Sequence, residues 1–283
     1  MGKNSLRKNV GVMIRKFVEE SLAQDVGRGD LYALVEPSID ARAEIIAKSN
    51  GVLAGVEYVN VLAKLEGFEV IWAKKDSDEF VAGEVLVTLR GGSHTLLRVE
   101  RTVLNMLLHA SSIATLTKQY VEIVEPYGVK LLDTRKTRPL LRVFEKYATR
   151  CGGAVNHRMG LDDALMLKDT HLKTIENLKE YIEKARKKIP FTAKIEVEAE
   201  TLEVACEAME AGSDIVMCDN MTLNQIFEVV SFRDKNFPHI LLEASGNISL
   251  DSIESYAKRG IDAISSGSLI HQANWIDLSM KMR

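Results

Sequence analysis

Cysteine is scarce: Cys151, Cys206 and Cys218 are the three in 283 residues, and no two stand in a C-x-x-C spacing. An odd, dispersed set excludes a disulfide framework and a paired-thiolate zinc site, and it suits a reducing, cytoplasmic compartment. Cys151 has no base beside it in sequence and reads as small-residue packing rather than a nucleophile. Long apolar runs are lacking too, none reaching the roughly 20 residues that cross a bilayer, so no membrane span is expected. The opening Met1-Gly2-Lys3-Asn4-Ser5-Leu6 leads into an amphipathic pattern rather than an apolar signal core, and Leu6 stands where a myristoylation motif has Ser or Thr. A large charge of one sign is also missing. A net charge of -3 with a pI near 6.1 gives nucleic acid no global attraction, and the basic residues carry no interleaved aromatics to stack on bases.

What is present is a 46% hydrophobic, 27% charged chain, the balance of a globular protein with one large or two moderate domains. Val10, Ile14, Phe17, Val18 and Leu22 recur at helical spacing, which predicts a helix over about 7–24, ahead of the Gly27-Arg28-Gly29-Asp30 turn. Strands are expected at 43–47, 68–72 and 84–89, with a helix over 58–65, so the first region reads as mixed α+β. A long helix from His94 to about Val124 bridges to a second region. There, six short apolar strands alternate with helix-length segments, at 129–132, 164–167, 193–195, 214–217, 240–242 and 262–264. Six β-α units in a row imply a parallel sheet. Whether it closes as a small barrel or stays open is not decided by periodicity, since a complete eight-fold barrel takes roughly 250 residues. A last helix is expected around Trp275 to Met282.

Each of the six strands ends in polar or glycine residues, where α/β folds gather their ligand sites. In order these ends are Asp133-Thr134-Arg135-Lys136, Lys168-Asp169-Thr170-His171, Glu196 with Glu198, Asp219-Asn220, Glu243-Ala244-Ser245-Gly246-Asn247, and Ser265-Ser266-Gly267-Ser268. Between Lys130 and Lys168 stand nine Lys/Arg against four Asp/Glu, a basic island in an acidic protein, so the expected ligand is anionic. Arg135, Lys136 and Lys168 sit at strand ends and are the cations expected in the site, whereas Arg142, Lys146 and Arg150 read as a solvated helix face. Glu198 and Asp219 suit a hard divalent cation or sugar hydroxyls, with simple pairing to Lys168 or Lys194 as the structural alternative. Ser245-Gly246-Asn247 and Ser266-Gly267-Ser268 suit a phosphate, through hydroxyls and backbone N–H groups. His157 and Arg158 form a further acid-recognising pair. His171 reads as a helix cap, and His94, His109, His239 and His271 as structural residues.

The run Leu132-Asp133-Thr134-Arg135-Lys136-Thr137, followed by Leu141-Arg142, Glu145-Lys146-Tyr147-Ala148, Cys151-Gly152-Gly153, Asn156-His157-Arg158-Met159-Gly160-Leu161 and Lys168-Asp169, closely resembles the quinolinate phosphoribosyltransferases. The likeness continues through Glu196-Val197-Glu198, Asp219-Asn220, Glu243 to Asn247 and Ser266-Gly267, and back through Glu100 to Asn105 and Gly29-Asp30-Leu31. It spans nearly the whole chain. The resemblance implies an N-terminal α/β sandwich domain over 1–115, completed by 272–283, and an incomplete, open six-unit α/β barrel over 116–271. It also implies a homodimer in which Arg101 reaches the partner's barrel in trans, with assembly to a hexamer left open.

By the same resemblance, Arg101, Arg135, Lys136, His157 and Arg158 bind the carboxylates of quinolinate, Thr134 belongs to the same substrate site, and Lys168 lies near the reacting centre. Glu198 and Asp219 engage the ribose and Mg2+ of phosphoribosyl pyrophosphate, and Ser245, Gly246, Asn247, Ser266, Gly267 and Ser268 cradle its 5-phosphate. Lys136, Lys168, Glu198 and Asp219 are the residues expected to carry the chemistry. Arg138 and Leu140 depart from the family's usual Thr and Gly, and Thr170 from a frequent Asn. Three rivals remain: a homologue with another acceptor, a barrel hydrolase with metal on His157, His171, Glu198 and Asp219, and a non-catalytic sensor of an anionic ligand.

Overall fold

The computed structural model describes residues 3–283, with side chains from residue 11 onward. Met1, Gly2 and the side chains of Leu6 and Val10 lie outside the described residues. In chain order the elements are α1 (Lys3–Val26), β1 (Asp40–Ala47), β2 (Gly51–Val52), α2 (Val56–Glu66), β3 (Glu69–Trp72), β4 (Glu79–Phe80), β5 (Val85–Gly92) and α3 (Ser93–Val124). Then follow β6 (Lys130–Leu132), α4 (Arg142–Cys151), β7 (Leu165–Leu167), α5 (Asp169–Leu172), α6 (Leu178–Arg186), β8 (Ile195–Ala199), α7 (Leu202–Glu210) and β9 (Ile215–Asp219). The chain ends with α8 (Leu223–Asn236), β10 (Leu241–Ser245), α9 (Leu250–Ala257), β11 (Ala263–Ser265), α10 (Ser268–His271) and β12 (Leu278–Met282). Two compact units result, one holding the chain up to Leu116 together with Ala273–Arg283, the other Thr117–Gln272. Among the described residues no helix is long and apolar enough to cross a membrane.

In the first unit an antiparallel sheet runs in the order β12-β1-β5-β3. Ala43, Ile45 and Ala47 are fully buried while the residues between them are not, the alternation of a sheet with one face in the core. Helix α2 turns Tyr58, Val59, Leu62 and Ala63 inward, and Phe17 of α1 meets the Tyr58 ring edge-on at 5.5 Å. A short β2-β4 ribbon, not anticipated from sequence, completes this unit.

The tail corrects an expectation: 275–282 does not form a helix. Residues 278–282 are strand β12, antiparallel to β1, with Ile45 opposite Met280 and Ala47 opposite Leu278. Ile276, Leu278, Met280 and Met282 alternate with Asp277, Ser279, Lys281 and Arg283, which is a strand's period of two. Strand β1 would otherwise present unpaired N–H and C=O groups along that edge.

The second unit is a six-stranded parallel sheet ordered β6-β11-β10-β9-β8-β7, an open α/β barrel of six units. Its first two strands in sequence end up at opposite edges, and one parallel bridge, Leu132 to Val155, is what extends the β6 edge. The inner strands are largely buried, so they are mostly apolar, with the buried carboxylates Glu196 and Glu198 of β8 and Glu243 of β10 as the exceptions. Thr222 and Gln225 cap α8 reciprocally, Thr222 Oγ1 accepting from Gln225 N–H and Gln225 Oε1 from Thr222 N–H. The carboxyl ends of all six strands therefore point the same way, toward one rim.

Candidate active site

At that rim lies a cavity of about 430 Å³. Thr134, Arg135 and Lys136 enter it after β6, His157 and Arg158 from the loop before β7, and Lys168 after β7. Glu198 of β8 and Asp219 of β9 form its floor with Ser245, Gly246 and Asn247 after β10. A smaller cavity of about 170 Å³ shares Lys136 and Gly246 and is closed by Ser266, Gly267 and Ser268. The expected site residues of the second unit thus all line one or both cavities. Arg101 belongs to the first unit, exposed on α3 beside Glu100, and is not among the lining residues. Residues that sequence reasoning left out also line them: Met166 and Met217 in the larger, His271 in the smaller.

A buried hub fixes the cationic wall. Asp133, fully buried, pairs with Lys146, accepts from Thr149 Oγ1 at 2.8 Å and from the His157 N–H at 2.9 Å, and takes the Asn156 side-chain amide as well. Lys146 also donates to the Arg158 carbonyl at 3.2 Å. This corrects the solvated-face expectation for α4. Lys146 is fully buried, with burial the first cause pressing its pKa below the usual lysine value against Asp133's pull. Arg142 is half-buried and donates to the Met159 carbonyl at 3.0 Å; Arg150 alone of the three is exposed.

Arg158 donates to the Ala164 carbonyl at 3.1 Å, and its pKa is lowered by burial and then by the charge of Arg135, which lines the same cavity. Two guanidinium groups that disfavour each other are a ready receptor for an anion. Lys168 pairs with Glu198, so the structural alternative for that carboxylate is present, while Lys194 pairs with Asp214 at 3.8 Å. Asp219 accepts from Asn220 Nδ2 at 2.8 Å.

His157 does not stand free. Its Nε2 lies 3.1 Å from Glu196 and 3.4 Å from Glu243, and the Arg158 N–H approaches its Nδ1 at 2.8 Å. Burial opposes a charge on the ring, but the hydrogen bonds that Glu196 and Glu243 accept from it, with their charges, prevail and push its pKa up to about 10. Burial also raises Glu243 above the usual carboxylate range. Among the described residues these three are the one cluster of three or more His, Cys, Asp or Glu side chains whose ligand atoms lie close enough together to share a metal. The quartet of the hydrolase rival is not assembled, since His171 Nδ1 instead accepts the Lys168 N–H at 2.9 Å, a cap as expected.

The serine-glycine end is shaped by backbone conformation. Asn220 and Asn247 adopt left-handed φ of 53° and 51°, tied by Asn247 Nδ2 to Asn220 Oδ1 at 3.2 Å. Gly246, at φ 97°, has no room for a side chain: a Cβ would lie 2.8 Å from Asn220 N. Such tight, polar turns expose N–H groups to a ligand oxygen.

The family described as "Quinolinate phosphoribosyl transferase, C-terminal domain" matches residues 113–281, and its N-terminal domain counterpart matches 30–111. The chain is 37% identical over 275 residues to a probable nicotinate-nucleotide pyrophosphorylase (carboxylating) of Synechocystis, covering 96% of this chain and 93% of that one. It is 38% identical over 274 residues to the corresponding protein of Methanothermobacter thermautotrophicus, covering 94% and 98%. The solved nicotinate-nucleotide pyrophosphorylase of Francisella tularensis superposes with a TM-score of 0.89 at 35% identity, covering 96% of both chains.

Proposed function

Because the chain belongs to the quinolinate phosphoribosyl transferase family, we propose that it joins quinolinate to phosphoribosyl pyrophosphate, giving nicotinate mononucleotide, CO2 and pyrophosphate for NAD biosynthesis. The observation that carries the reading is the presence, in one cavity, of Arg135 and Arg158 together with the Gly246 turn. A planar dicarboxylate suits the first and a phosphate the second.

In this arrangement Arg135, Arg158 and Lys136 receive the two carboxylates, with Met166 and Met217 as the apolar wall for the ring. Ser245 to Asn247 and Ser266 to Ser268 hold the 5-phosphate, and Lys136 and Lys168 face the pyrophosphate. The quinolinate nitrogen bonds to C1 of the ribose as the C1–O bond breaks, its electron pair leaving with pyrophosphate. The ring nitrogen is then cationic and stabilises the pair left at C2 when CO2 departs, and C2 takes up a proton. Placing groups that carry opposite charge against the developing charges is the main catalytic contribution of these side chains.

Glu198 and Asp219 present the carboxylate oxygens that a hard cation takes. Both are partly committed, to Lys168 and Asn220, so they fit an ion held chiefly by the substrate's own phosphates. Bound there, Mg2+ would supply neutralisation of the leaving group. We further propose a homodimer in which Arg101 acts in trans, hexamers being a further possible assembly, and a cytoplasmic enzyme; the exposure of Arg101 and the dispersed free thiols support these.

The test is incubation with quinolinate, phosphoribosyl pyrophosphate and Mg2+, following nicotinate mononucleotide by mass spectrometry with nicotinate as parallel acceptor. Product from quinolinate alone is expected. No product from folded protein would overturn the reading in favour of another acceptor or a sensor.

A further inference from the structure

Glu196 and Glu243 take no part in the reaction as written, yet they occupy costly places. They come from β8 and β10, the two strands that flank β9, and are 1% and 2% exposed. Inner positions of a parallel sheet are ordinarily apolar, and a buried carboxylate is stable only against a well-placed partner. The partner both share is the imidazole of His157, at 3.1 and 3.4 Å from Nε2. Its own backbone is pinned separately, by the N–H donated to Asp133 at 2.9 Å. With Nδ1 facing the Arg158 N–H, neither ring nitrogen is left to point at a ligand. The ring is therefore a fixed strut, and the residue it immobilises next in the chain is Arg158, one of the two guanidinium groups that line the cavity.

We propose that Glu196 and Glu243 are positioning residues of the acid pocket: they clamp His157 by its Nε2 and so set where Arg158 meets a carboxylate. This rests on the proposed acid-binding site. It differs from the direct carboxylate contact that the family resemblance implies for His157, because it places the effect of His157 in its hold on the loop.

Glutamine keeps the shape of each side chain while removing the charge that holds His157. Steady-state kinetics of E196Q, E243Q, H157N and the double variant H157N/E243Q, with melting temperatures, test the clamp. Losing a hydrogen bond to a charged group corresponds to roughly 10- to 100-fold. The KM for quinolinate is expected to rise by about that factor in E243Q, with the KM for phosphoribosyl pyrophosphate within about twofold. Adding E243Q to H157N is expected to change little further, since the glutamate acts through the histidine. Multiplying losses in the double variant would overturn the inference, as would glutamine variants with the unsubstituted KM or a retained metal that E243Q releases. A fall in melting temperature with both KM values unchanged would mark packing alone and overturn it too. Lack of turnover by the unsubstituted chain would overturn the activity and the inference together, whereas the other adverse outcomes overturn the inference alone.

Discussion

Asp133 and Lys146 form an ion pair in which neither side chain is exposed, and the pair ties the end of β6 to α4 and to the loop that carries His157 and Arg158. Taking two charges out of water costs several kcal/mol each, so the pair persists because every remaining valence is used. Asp133 meets Thr149, Asn156 and the His157 N–H; Lys146 meets the carbonyls of Thr134 and Arg158. Arg135 and Arg158, twenty-three positions apart in sequence, line the same cavity beside this hub.

Breaking the pair from one side leaves a buried charge without its partner. Lys146→Met is expected to lower the unfolding free energy by about 3–5 kcal/mol. Asp133→Asn should cost a comparable amount, and the double variant less than the sum of the two, because each single change strands the other's charge. Urea denaturation of the three variants measures this; additive losses would mean that the two groups are not coupled.

Much of this architecture was legible beforehand. The parallel strands appear as mostly apolar stretches ending in polar residues because the sheet interior is buried, and that pattern needs no partner to be seen. Lys146 was not legible. Arg142, Lys146 and Arg150 recur every four residues and look like one solvated stripe; what buries Lys146 is Asp133, thirteen residues earlier, on a different element. The same holds for Glu196 and Glu243, whose polarity at strand positions was visible but whose shared partner His157 is brought to them by the fold. The tail failed for another reason. Its alternation from Ile276 to Met282 was present in the residues, while the deciding fact is the edge of β1 with which it pairs.

Leu140 occupies a position where the backbone asks for glycine. Its φ is 66°, its side chain is 97% exposed, and so nothing packs to compensate the strain. A non-glycine residue held there costs about 1–3 kcal/mol, part of which glycine returns through its greater freedom when unfolded. Leu140→Gly should therefore stabilise the protein by about 1 kcal/mol in denaturant titration. A destabilised variant would show that Leu140 contributes contacts that outweigh its backbone strain.

Gly246 has the opposite requirement. Ala at φ 97° is strained, and its methyl would press on Asn220 N at 2.8 Å, forcing the 245–247 turn and the Asn220 turn apart. Misplacing a binding loop by about an ångström lowers catalytic efficiency on the order of 100-fold. Gly246→Ala is expected to raise the KM for phosphoribosyl pyrophosphate by roughly 10- to 100-fold while leaving calorimetric binding of quinolinate alone nearly unchanged. Equal damage to both ligands would show that the turn supports the whole cavity rather than its phosphate end.

The charge on His157 makes the last prediction. Its pKa is raised from 6.5 to about 10 because Glu196 and Glu243, at 3.1 and 3.4 Å, outweigh the burial that opposes its charge. The Arg158 N–H at 2.8 Å from Nδ1 pulls the other way, toward an unprotonated nitrogen. It is one amide dipole against two carboxylates, and full charges at that range dominate. A histidine whose folded pKa exceeds its unfolded one binds the proton more tightly when folded. The stabilisation from that proton is then complete below about pH 6.5 and is lost as pH rises toward 10. Ring-labelled NMR should show His157 doubly protonated at pH 8, and the stability gap over His157→Asn should narrow between about pH 6.5 and 10. A ring that titrates near 6.5 would mean that the Arg158 amide wins, leaving one proton on Nε2 and a neutral strut between the glutamates.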